Sequence, residues 1–407
     1  MGLLTPAEAE RLVLENTAAF PAEECALAQA HGRVLRAAIH ADRDLPPFDR
    51  VTMDGYALRA AAVAAGARCF QVEGVQAAGM RPLELSAAPA ACVEIMTGAV
   101  LPVGADCVVP YEETTREGAA PNVTLSAEAV REARPGRSVH ARGSDYAAGA
   151  LMVAPGVRLG GCAIAVAASC GCAILTVSRR PKIAVVTTGD ELVDVEALVA
   201  AHQVRRSNDF ALRAALAAAG YPDVERFHLH DMRHEIEHQL WHILAEFDVV
   251  LLTGGVSKGK FDFLPAALET LQVRRIFQGV AQRPGKPFWF GTNARQTAVF
   301  ALPGNPVSAY TCLHRYVLPA LAQASGLKPA APRTVALAEP VTFAPKLACL
   351  LPVQLVDRGD GTQVARPAPT NTSGDFAGLV GTDGFVELPA ERTEFAAGTV
   401  AALWPWV

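Results

Sequence analysis

Apolar runs and helix-length periodicities alternate through residues 182–322. Lys182-Ile-Ala-Val-Val-Thr-Thr and Asp248-Val-Val-Leu-Leu-Thr are short apolar runs that end in polar or glycine-rich sequence, so each reads as a buried strand. Val224–Leu229 and residues 298–302 read the same way. Residues 207–219 start polar and stop at Gly220, and 232–246, 264–271 and 307–322 carry helical periods. Strand–helix alternation with short connections predicts a parallel sheet covered on both faces. Ligands of such sheets sit at the carboxyl ends of the strands. Four of those ends carry polar or glycine-rich sequence: Thr187-Thr-Gly-Asp-Glu191, Asp231, Thr253-Gly-Gly-Val-Ser257 and Pro303-Gly-Asn-Pro306.

The flanks have a different rhythm. Residues 5–20 and 21–39 read as two short helices, the first opened by Thr5-Pro-Ala-Glu8 with its cap, N1 proline and N3 glutamate. Residues 44–55 form a loop, because Pro46 and Pro47 forbid regular structure and Asp54-Gly55 is a turn. Short β-like runs between glycine and proline turns make residues 56–140 a β-rich module, with Thr97-Gly98 at a strand end. Residues 145–180 are β-like again. They include the most apolar stretch, Leu159 to Val177, which Gly160, Gly161, Ser169 and Gly171 interrupt; it reads as strands, not as a membrane span. This piece is expected to pack on the N-terminal helices, leaving the β module as an insertion. Residues 334–407 alternate β-like runs with turns and predict a small β-barrel or sandwich.

At 407 residues, two to four domains are expected. A net charge of -5 gives no pull toward nucleic acid or an anionic membrane. The nine cysteines are scattered without a Cys-x-x-Cys pair, which suits reduced thiols, and the first residues lack the pattern of a signal peptide. Both point to the cytoplasm.

The chemistry concentrates at the strand ends. Gly254-Gly255, with Ser257, Lys258, Lys260 and Asp262 following, can turn its N–H groups toward an anion, the alternative being a plain turn. Arg283-Pro-Gly-Lys286-Pro presents two cations on a rigid turn, suited to an oxyanion. Pro303, Asn305 and Pro306 open a helix whose amide end can receive negative charge. Asp190 and Glu191, on the same sheet edge as Asp231 and Asp262, make a divalent-metal cluster plausible; an oxygen-only set suits magnesium. His234-Glu-Ile-Glu-His238 matches a zinc-protease pattern, yet Ile236, Leu240, Ile243 and Phe247 take the opposite helix face, which places the histidines on a solvated side.

Taken in order, Pro47-Phe-Asp-Arg-Val-Thr-Met-Asp-Gly-Tyr56, Ile95-Met-Thr-Gly-Ala99, Pro102-x-Gly-Ala-Asp106, Thr188-Gly-Asp-Glu-Leu192, Thr253-Gly-Gly-Val-Ser257, Arg283-Pro-Gly-Lys-Pro287 and Leu302-Pro-Gly-Asn-Pro-Val-Ser308 resemble the molybdopterin molybdenumtransferase family, the MoeA proteins and the gephyrin E domain. The resemblance implies an elongated homodimer of multidomain α/β plus β architecture. Residues 1–43 and 141–180 would form a dimerisation domain and 44–140 an inserted β-rich domain. Residues 181–328 would form the α/β molybdopterin-binding domain and 329–407 a C-terminal β-barrel. It implies magnesium-dependent hydrolysis of adenylated molybdopterin with release of AMP and insertion of molybdenum from molybdate, after delivery by a pterin-adenylating protein. By the same resemblance Asp54 and Thr97 come from the partner subunit, and Glu191, Asp231 and Asp262 form the acidic site. Gly254, Gly255 and Ser257 seat the pterin substrate, Arg283 and Lys286 hold phosphate or molybdate, and Pro303, Asn305 and Pro306 shape the pocket, with Ser373 reaching in from the last domain. Three places depart from the family: Lys258-Gly-Lys260-Phe precedes Asp262, Gly279 stands where a lysine is expected, and Lys346-Leu-Ala-Cys-Leu-Leu replaces an arginine-bearing stretch. They keep a non-catalytic pterin-binding or scaffold protein, and more remotely a magnesium-dependent nucleotide hydrolase, as alternatives.

Overall fold

A computed structural model describes residues 2–118, 120–255, 263–329 and 332–407. Two compact units emerge. One comprises residues 38–154 and 161–173; the other comprises residues 1–37, 155–160 and 174–407.

The smaller unit is built on a six-stranded sheet in the order Cys107–Pro110, Gly55–Leu58, Ala91–Ile95, Cys69–Gln76, Asn122–Leu125, Thr114–Thr115. Leu58, Phe70, Cys92, Val109 and Val123 form its core. Beside the sheet, Ile39–His40 pairs with Leu151–Val153. The expectation of strands throughout Leu159 to Val177 is corrected here, because Gly161–Ser169 is an α-helix. Its alanines are strong helix formers, and an apolar run of this length cannot be assigned by periodicity alone.

The larger unit holds a six-stranded sheet whose strands are β1 (Ile183–Thr188), β2 (Val224–Leu229), β3 (Val249–Thr253), β4 (Arg274–Gln278), β5 (Trp289–Thr292) and β6 (Ala298–Leu302), in the order β2-β1-β3-β6-β5-β4. Strands β2, β1, β3 and β6 are parallel. The expected purely parallel sheet is corrected at one edge, where β5 runs antiparallel to both β6 and the edge strand β4. Their sequences are short and flank the glycine- and proline-rich turn at 283–287, so no helix-length spacer announces them. Alternate residues of β1 and β3 serve two cores. Ile183, Val185, Val249 and Leu251 join one cluster; Ala184, Val186, Val250 and Leu252 join the other. That two-sided burial is why these strands are continuously apolar.

The helix Pro6–Asn16 packs Ala9 and Val13 into the first cluster. Its start forms the expected capping box: the Glu8 N–H donates to Thr5 Oγ1 at 3.2 Å and the Thr5 N–H donates to Glu8 Oε2 at 2.8 Å. The second helix expected over 21–39 is not formed. Ala22–Ala26 is a strand paired with Ile174–Ser178, a partner some 150 residues away that local propensity cannot reveal. After β6 one apolar rod runs through Pro306–Cys312, a π-turn at Leu313–Val317 and Leu318–Ala324. Pro319 has no N–H to donate to Arg315, and the helix widens ahead of it.

Arg333–Leu337, Ala348–Asp357, Gln363–Pro367, Gly384–Leu388 and Val400–Pro405 close into a five-stranded barrel, since Ala348–Asp357 pairs with both Gln363–Pro367 and Gly384–Leu388. Gln282–Arg283 adds to it in parallel, alongside Ala348 and Cys349.

Candidate active site

The carboxyl ends of β1, β3 and β6 surround a cleft of about 600 Å³. It lies where the chain leaves β1 toward β2 on one side and returns to β3 on the other, the switch point at which parallel sheets bind ligands. Its floor is the Gly254-Gly255 turn. Gly254 has φ +92°, and a Cβ there would lie 2.7 Å from the Thr188 carbonyl oxygen; Gly255 has φ +62° and Leu264 Cδ1 would be 2.9 Å away. Only glycine gives the backbone this path. Thr188 is 4% exposed, and its hydroxyl has no hydrogen-bond partner among the described residues.

Glu191 lines the cleft, as do Pro303, Asn305 and Pro306. A further wall was not foreseen. Leu192–Val193 pairs with Val204–Arg205, and this ribbon carries Arg205, Arg206, Ser207 and Asn208 into the lining. Asn208 Nδ2 donates to the Gly304 carbonyl at 2.8 Å, which joins this wall to the β6 end. The polar run Arg205-Arg206-Ser207-Asn208 just before a helix was the available signal.

A second basin of about 330 Å³ adjoins, with Pro287 and Asn305 common to both. Arg283, Lys286 and Ser373 line it. Gly285 holds the cationic turn tight at φ +93°, Gln282 Nε2 donates to the Pro284 carbonyl at 3.1 Å, and the buried Tyr316 hydroxyl donates to Gln282 Oε1. Arg283 and Lys286 are exposed and form no ion pair among the described residues. Asn305 Nδ2 donates to Ser373 Oγ at 2.8 Å, and the Val307 N–H donates to the Ser373 carbonyl at 3.1 Å. The sheet domain and the barrel therefore meet at the partition between the two basins.

Of the expected acidic residues that the structure describes, Glu191 lines the cleft and Asp190 and Asp231 do not. Asp190 turns from the cleft to the β2 end: its Oδ1 accepts from the Asp231 N–H at 3.2 Å and lies 3.1 Å from His230 Nδ1. These contacts, the Asp231 N–H first, hold its carboxyl below the ordinary value. Asp231 does not line the cleft either. Ser257 and Asp262 lie outside the described residues. Among the described residues no three His, Cys, Asp or Glu side chains converge as a metal site. In the smaller unit Asp54 Oδ1 accepts from the Thr97 N–H at 2.6 Å and from its hydroxyl at 2.7 Å, which keeps this exposed carboxylate ionised. His234, His238 and His242 lie exposed on the helix Arg233–Glu246, whose buried face is Ile236, Leu240, Ile243 and Leu244.

Comparison with known proteins covers this whole layout. The signature described as "MoeA N-terminal region (domain I and II)" matches residues 4–171, "Probable molybdopterin binding domain" matches 184–323, and "MoeA C-terminal region (domain IV)" matches 334–406. A molybdopterin molybdenumtransferase of Synechocystis sp. is 38% identical over 378 residues, 93% of each chain. The chain belongs to the molybdopterin molybdenumtransferase family. Molybdopterin molybdenumtransferase 2 of Mycobacterium tuberculosis is 30% identical over 98% of each chain. The crystal structure of the MoeA protein of Pyrococcus horikoshii superposes over all of both chains with a TM-score of 0.83 at 28% identity. Members of this family are transferases of molybdenum cofactor biosynthesis. One departure from the family pattern now has a physical reason. Gly279 has φ +91°, a backbone conformation that a lysine rarely adopts.

Proposed function

We propose that this chain takes adenylated molybdopterin into the strand-end cleft and molybdate into the adjoining basin, hydrolyses the adenylate with release of AMP, and places molybdenum on the dithiolene. The observation that carries this reading is the shared wall. Asn305 and Pro287 border both spaces, so a dinucleotide in one and an oxyanion in the other are neighbours. Molybdate is a dianion, and two exposed cations on a rigid turn suit it. The Gly254-Gly255 turn lines the cleft, and backbone N–H groups of such a turn suit a phosphate.

Magnesium fits the donors on this wall, which are all oxygen: Glu191 and the unpartnered Thr188 hydroxyl would hold it, with Asp262 as the further carboxylate that the family resemblance implies. When bound it supplies positive charge against the phosphates and the departing AMP. The chain's own part is to position the dinucleotide between the Pro303–Pro306 segment and the glycine turn and to hold the oxyanion beside it. Asp54 and Thr97 of the partner subunit are proposed to complete the site. A homodimer is supported by the helix Gly161–Ser169, all small or apolar but for Ser169, of which only Ala167 is buried in one copy. No described helix is long and apolar enough to cross a membrane, and a cytoplasmic place in the pathway accords with that.

The test is to incubate the purified protein with adenylated molybdopterin and magnesium, with and without molybdate, and to follow AMP. Release that requires molybdate supports the reading. Tight binding without turnover would show a non-catalytic pterin-binding protein, and turnover of simple nucleotides a nucleotide hydrolase.

A further inference from the structure

The wall formed by Val204–Asn208 carries charges that the reaction as described leaves unused. Arg205 and Arg206 are the cations lining the cleft among the described residues. Arg205 is committed: its guanidinium donates to the carbonyls of Val195 at 2.9 Å and Ala197 at 3.2 Å. Arg206 is not. Its side chain is 13% exposed, Nη2 lies 2.7 Å from Asp194 Oδ2, and Nη1 stops 3.9 Å from Asp209 Oδ2, beyond hydrogen-bond length. Among the described residues its Nε is buried without a partner, and so is Asp209 Oδ1.

Asp209 is wholly buried in the first turn of the helix Asn208–Ala218. Arg226 neutralises it, with Nη1 at 3.1 Å from Oδ2, and is itself held with its guanidinium carbon 3.8 Å from the centre of the Phe210 ring. Asp194 is 60% exposed, so its pairing with Arg206 is a surface contact of little worth. The charge of Arg206 is therefore met by one exposed carboxylate and, at longer range, by one that Arg226 already neutralises. A buried guanidinium N–H without an acceptor carries a free-energy cost, so the protein around Arg206 does not fully match its guanidinium. In the substrate class read for this cleft, the phosphate oxygens are the anionic partner that suits a guanidinium, while the dithiolene sulfurs receive the molybdenum.

We infer that Arg206 binds a phosphate oxygen of the adenylated substrate in the cleft and that Asp209 is a positioning residue that sets the direction of its guanidinium. This rests on the reading of the cleft as the adenylated-pterin site. With adenylated molybdopterin as the probe, Arg206→Gln should raise KM for AMP release about tenfold or more, with kcat within about threefold of wild type, and should flatten the rise of KM with salt. Arg206→Lys should recover part of the loss, and Asp209→Asn should raise KM with little change in kcat. Thermal melts of each variant separate misfolding from lost recognition. A wild-type KM and salt response in Arg206→Gln overturns the inference while leaving the cleft reading intact. So does a fall in kcat alone that lysine fails to rescue. A wild-type protein that releases no AMP overturns the reading of the cleft, and this inference with it.

Discussion

Gly285 has no room for a side chain: a Cβ would lie 2.6 Å from both Cys312 Sγ and Gln282 Nε2. The turn that presents Arg283 and Lys286 is thus fixed from beneath by buried groups, and the Cys312 thiol, pushed up to about 12 by burial, stays protonated there. Lys286→Ala should leave pterin binding unchanged and raise the molybdate concentration for half-maximal AMP release about tenfold, the scale of one charge-assisted contact, as read from a molybdate titration. A second residue-scale prediction concerns pH. His314 is buried and neutral: Nδ1 lies 2.9 Å from the Tyr310 carbonyl and Nε2 accepts from the Val407 N–H at 3.3 Å. Burial lowers it from 6.5 to about 4. The unfolded chain then binds a proton that the folded one refuses between those values, so this contribution is complete above the higher value and is lost as pH falls toward the lower. It amounts to about 3 kcal/mol. Burial lowers His228 as well, with the same sign. Urea melts between pH 7 and pH 4 should show the loss, with a shallower slope in His314→Gln. At this scale the sequence disclosed Arg283, Lys286 and the glycine pair, because their types and spacing carry the chemistry. It could not disclose Arg206, since an unmatched Nε is a property of what packs around it.

Elements with strong local signals formed where the pattern placed them, among them the capped helix Pro6–Asn16, the strands β1, β2, β3 and β6, and the helix Arg233–Glu246. Ala22–Ala26 and Gly161–Ser169 did not, because the first takes its state from a distant partner and the second carries no amphipathic stripe. The element joint most open to test is the π-turn, where Arg315 is 4% exposed and bridges Glu10 of the first helix at 2.8 Å and Glu387 of the barrel at 2.7 Å, with its guanidinium carbon 4.1 Å from the centre of the Trp404 ring. Removing one partner of a buried ion pair leaves the other uncompensated. Arg315→Ala should therefore cost about 3–5 kcal/mol, measured as a lower denaturation midpoint.

At the scale of the molecule, the site depends on segments far apart in sequence: three strand ends, the ribbon before the helix Asn208–Ala218, the turn at 283–287 and Ser373 beyond it. The apolar helix Gly161–Ser169 is the face proposed for the homodimer. Ile164→Lys should shift the protein toward monomer in sedimentation, and if the partner subunit supplies Asp54 and Thr97, AMP release should fall with it. The acidic set was the least legible part of the site in the sequence. Asp190 and Glu191 are adjacent in the chain, yet one faces His230 and the other the cleft. The most direct measurement is AMP release from adenylated molybdopterin by Glu191→Gln beside wild type, with substrate binding measured separately. The account predicts molybdate-dependent release by wild type, and a variant that binds the substrate but releases AMP about a hundredfold more slowly or worse. Equal rates in the two proteins would contradict it.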